Sequence, residues 1–79
     1  MSKYSLYLFD LGLLLKESAL EARRVRDETP EGSVAREFHS GRVLAFNRTI
    51  SIMQQQAAGF QIPLAELRLD DIDPDRDLI

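Results

Sequence analysis

The chain has 79 residues, 13 of them acidic and 10 basic, with one histidine and no cysteine. This is one small domain that neither a disulfide nor a thiolate metal site can staple, and a lone histidine excludes a multi-histidine zinc centre. The net charge of −3 is uneven: residues 1–58 carry eight Lys/Arg and seven Asp/Glu, and residues 59–79 carry two and six. The body is therefore near neutral and the tail acidic, without the basic stripe that binding a phosphate backbone requires.

Domains this short often need a staple, and self-association is the one the composition leaves. No apolar run approaches the roughly 18–20 residues of a membrane span. The stretch Leu6 to Leu15 is broken by Asp10 and Gly12 and lacks a signal-peptide cleavage site, so a cytoplasmic location is expected.

The first predicted element is a helix over about residues 5–26, with Ser2 or Ser5 as cap and Arg23, Arg24 and Arg26 in the last turns, where cations complement the helix dipole. It contains "YLFDLGLLL", Tyr7 to Leu15. The segment resembles the opening motif of the haloacid-dehalogenase-like phosphohydrolases, a strand delivering Asp-x-Asp-Gly-Thr, which would make Asp10 a nucleophile. The resemblance covers about six residues. Gly12 stands where the second Asp belongs, Leu13 and Leu14 replace Gly-Thr, and the chain has no room for the doubly wound sheet of that family. Asp10 is expected to be a polar residue on a mostly apolar helix, and no catalytic residue or cofactor site is assigned.

"DETPEGS", residues 27–33, is the break between helices. A second helix should follow over residues 34–59, starting at Thr29-Pro30 or Ser33 and ending at a left-handed Gly59. A connection this short predicts an antiparallel hairpin. Leu8, Leu11, Leu15, Ala19, Ala22 and Val25 would form its face on the first helix. Val34, Phe38, Gly41, Ala45, Thr49 and Ile52 would form the matching face, with Gly41 opposite Ala19.

A second stripe remains on the second helix: His39, Val43, Phe46, Ile50, Met53, Ala57 and Phe60, again spaced three and four. A hairpin cannot bury two faces of one helix, so this stripe is expected to form a homodimer interface, giving a four-helix bundle. His39 would then meet its symmetry mate and make assembly pH-sensitive. The alternative is that the first helix's apolar end and the tail cover the stripe within one chain. Arg42, Thr49 and Gln56, seven apart, form a polar ladder between the stripes that would fix register, with Arg42 paired to Asp10, Glu17 or a tail Asp.

A short helix is expected over residues 63–68, then an acidic tail over 69–79, with Leu64, Leu67, Leu69 and Ile72 folding back while Pro74 to Ile79 stay extended. Of the tail acids Asp70, Asp71, Asp73, Asp75 and Asp77, the last four alternate as calcium-loop ligands do, but Arg76 occupies the position that needs Gly, so no metal is assigned. The expected fold is all-α. The expected function is that of a non-catalytic helical interaction or regulatory protein acting as a homodimer. The competing expectation is an acidic inhibitor of phage or mobile-element type, its five Asp residues mimicking nucleic acid toward a basic partner. Neither a membrane nor direct nucleic-acid binding is expected.

Overall fold

The structure, a computed structural model, describes residues 2–79. Two long helices, α1 (Lys3–Asp27) and α2 (Val34–Gly59), pack against each other as an antiparallel hairpin. A 3₁₀ turn (Leu64–Leu67) and a single-turn helix, α3 (Pro74–Asp77), complete the chain, with no strand among the described residues.

Local chemistry sets each boundary. The Ser2 hydroxyl accepts from the Ser5 amide at 3.1 Å and caps α1. The Ser33 hydroxyl does the same for Arg36, also at 3.1 Å, so Ser33 and not Thr29 opens α2. Thr29 donates its hydroxyl to the Val25 carbonyl at 2.7 Å and closes α1 instead. Gly32, at φ +81°, supplies the left-handed turn between the helices.

The far end of α2 corrects an expectation. Gly59 is still helical, and the left-handed residue is Gln61, φ 58°. The Ile62 amide bonds the Ala57 carbonyl at 2.8 Å and the Gln61 amide bonds Ala58 at 3.1 Å. This pair of bonds is a Schellman cap two residues beyond the expected one.

The larger correction concerns which face of α2 meets α1. Val43, Ile50 and Ala57 are buried in one core with Ala19 and Ala22 of α1, and Phe46 and Met53 pack against it. The face expected there is open: Val34 is 83% and Phe38 64% exposed, and a Cβ at Gly41 would meet nothing within 4 Å. Gly41 therefore does not face Ala19 across a close contact. Two apolar stripes compete for α1, and the C-terminal segment decides between them.

That segment lies in the groove between the helices. It runs parallel to α1, with Leu67 at Gly12, Asp71 at Lys16, Asp77 at Arg23 and Ile79 at Arg26. It contributes Leu67, Leu69, Ile72 and Leu78 to the buried core. Burying four such side chains is worth on the order of 6–12 kcal/mol as an upper estimate. That matches the whole stability of a small domain, so the segment is the third layer of the core. The end beyond Ile72 is correspondingly built in: Leu78 is fully buried and Pro74 opens α3. The expected extended, fraying terminus is replaced by this docked turn.

Candidate functional site: an interaction face

The groove under the tail is assembled from polar side chains that bond main-chain carbonyls. Gln54 donates to Leu69 and Ile72 at 3.1 and 2.9 Å, and Asn47, one heptad earlier, donates to Pro74 and Leu78 at 2.8 and 3.2 Å. Arg23 and Arg26 of α1 donate to the carbonyls of Asp77 and Ile79 at 3.1 and 2.7 Å. A short irregular segment leaves most of its carbonyls without helical partners, and these four side chains supply them, while Pro74 also accepts from the Leu78 amide at 2.9 Å. Lys16 adds an ion pair to Asp71 at 2.8 Å. Gly12 makes the approach possible, because a Cβ there would stand 1.7 Å from the Leu67 carbonyl oxygen.

The tail acids are spread over separate tasks. Asp71 pairs with Lys16, and Asp77 pairs with Arg76 and accepts from the Asp73 amide at 2.9 Å. Asp73 accepts from the Asp75 amide at 3.0 Å and caps α3. The Asp77 carboxyl is held far below its ordinary pKa, first by the Arg76 hydrogen bond and then by the Asp73 amide. Asp70 and Asp75 are exposed. No group of three acids or histidines among the described residues is placed to hold a metal ion.

The stripe expected at a dimer interface is divided by this fold. Val43, Ile50 and Ala57 lie inside the single chain, so they are not surface that a second copy can cover. His39, Phe46 and Met53 are half-buried, and Phe60 is exposed. The Arg42, Thr49, Gln56 ladder is not a connected network. Arg42 donates to His39 Nδ1 at 3.2 Å, Thr49 donates to the Ala45 carbonyl at 2.9 Å, and Gln56 lines a cavity. None of the expected carboxylates pairs with Arg42. Its charge is felt at Glu21, whose carboxyl is lowered mainly by the Arg24 hydrogen bond with a smaller contribution from Arg42.

At 100° per residue, Asn47 and Gln54 stand on one flank of the α2 seam, and Arg42, Thr49 and Gln56 on the other. The molecule thus has a closed side under the tail and an open side. On the open side lie Tyr4 and Leu8 of α1 with Phe38, Ala45 and Ile52 of α2 and Phe60 just past its end, all exposed. A cavity of about 180 Å³ opens at one end, lined by Leu8, Met53, Gln56, Ala57, Phe60, Ile62 and Leu67. No titratable group lines it.

Asn47, Gln54 and Gly12 were missed by reasoning from the sequence. The available signal was the seven-residue spacing of two amide side chains on the flank of an apolar stripe, which is how a helix presents donors to a neighbouring irregular segment. No family model, no curated protein and no solved structure matches this chain.

Proposed function

We propose that this protein is a small, non-catalytic helical interaction protein that works as a homodimer through its open side. The carrying observation is surface. The chain exposes 5452 Å², whereas a folded monomer of 9.0 kDa exposes about 4,850 Å². The surplus of roughly 600 Å² approaches the ~800 Å² per partner of a standard interface. Its cause is shape, since the molecule measures 45 × 21 × 16 Å with an apolar flank along its length. A second copy laid on that flank makes a four-helix bundle. An acidic mimic of nucleic acid has less support, because Asp71, Asp73 and Asp77 are engaged in pairs and caps of their own fold.

Sedimentation equilibrium tests the proposal. Wild type is expected as a dimer at tens of micromolar, and Phe38→Glu should raise the dimer Kd roughly tenfold or more while leaving the helical circular dichroism intact. Phe38 is 64% exposed, so folding does not depend on it. A strictly monomeric wild type would rule the proposal out.

A further inference from the structure

Resting on the homodimer reading, we infer that the two copies meet about a two-fold axis crossing α2 at Thr49, each inserting its Phe38 ring into the other's apolar cavity. In a two-fold interface the same patch serves twice, so residue i meets j wherever j meets i. Phe38 stands eleven residues before Thr49 and Phe60 eleven after it, so the axis brings each Phe38 to the cavity beside the partner copy's own Phe60.

Size and polarity fit. The cavity holds about 180 Å³ and is lined by Leu8, Met53, Ala57 and Phe60 among others, and an apolar cavity of about 150 Å³ accommodates benzene. Phe38 is the matching projection: its ring is exposed and braced edge-on by His39 at 5.2 Å. The same axis sets Ala45 against Met53, a small residue against a large one, as interlocking layers require. It sets Arg42 against Gln56, whose side-chain carbonyl can accept from a guanidinium that pairs with no carboxylate among the described residues and meets only His39. Thr49 meets itself. An axis running along the helices would instead keep each Phe38 at the hairpin-turn end. That end lies about 33 Å from either cavity, at 1.5 Å per residue.

The described chain has no cysteine, so introduced thiols report the register cleanly. Thr49→Cys is expected to form a covalent dimer under mild oxidation, at least tenfold faster than Gln55→Cys, an exposed position about 120° around α2 from Thr49. Phe38→Cys/Phe60→Cys should cross-link between chains where neither single variant does, because the two positions are too far apart within one helix to bridge. Dimers by sedimentation that cross-link no faster at Thr49 than at Gln55 would overturn the register while leaving the homodimer standing. Monomers by sedimentation would overturn both.

Discussion

At the residue scale, two glycines in helices carry opposite expectations. Gly12 admits the Leu67 carbonyl where any Cβ would collide with it, whereas Gly41 faces open space. Gly12→Ala should therefore destabilise by roughly 1–3 kcal/mol by overpacking. Gly41→Ala should stabilise by about 0.5–1 kcal/mol through helix propensity alone. Thermal melts of the two variants separate these outcomes, and a stabilised Gly12→Ala would show that the tail does not approach α1 there. Gly12 was legible in the sequence only as the residue that spoils a phosphohydrolase motif. Its structural role depends on a backbone 55 residues downstream, which no local pattern announces. The Lys16–Asp71 pair makes a separate prediction. The Lys16 hydrogen bond lowers the Asp71 pKa below its ordinary value. Its contribution is then complete above the unfolded carboxylate value of about 3.9 and lost as pH falls through the lowered folded value. Melts across that range should show wild type losing more stability on acidification than Asp71→Asn, although an exposed pair makes the difference small.

At the element scale, the two long helices and the break between them were readable because propensity, the Ser caps and the Pro/Gly cluster agree. The face of α2 was not. Both of its stripes satisfy the same three-and-four spacing, so periodicity cannot rank them. What ranks them is the position of Asn47 and Gln54, which must flank the buried seam to reach the tail carbonyls. Choosing the other stripe would turn these amides away from the groove and strand the carbonyls of Leu69, Ile72 and Leu78. Gln54→Leu keeps the volume but removes the donor, and is expected to cost roughly 1–3 kcal/mol in urea unfolding, with Asn47→Leu similar. Replacement at Gln55, on the same helix and exposed, should cost under about 0.5 kcal/mol. Equal effects at positions 54 and 55 would show that the clamp contributes nothing. The polar ladder was legible as a spacing but not as a network, since Arg42, Thr49 and Gln56 each find a different neighbour.

At the scale of the whole molecule, the closed and open sides follow from one asymmetry. The tail has apolar residues enough to cover a single flank of the hairpin, and Gly12 selects which. The hydrogen bonds that fasten it close long loops, of 55, 54 and 53 residues for Lys16–Asp71, Arg23–Asp77 and Arg26–Ile79. Contacts closed over such a loop form late, because the chain must lose the entropy of closure before they reward it. The hairpin can assemble through nearer contacts and present its groove before the last segment arrives. Stopped-flow chevrons should then find Leu78 outside the folding nucleus. Leu78→Ala would accelerate unfolding with the refolding rate nearly unchanged, a φ-value near zero, whereas Ile50→Val on the hairpin seam would slow refolding. A high φ-value at Leu78 would mean that tail and hairpin condense together. With docking last, the segment that contributes most to the core governs how long the native state persists and has little influence on how quickly it is reached.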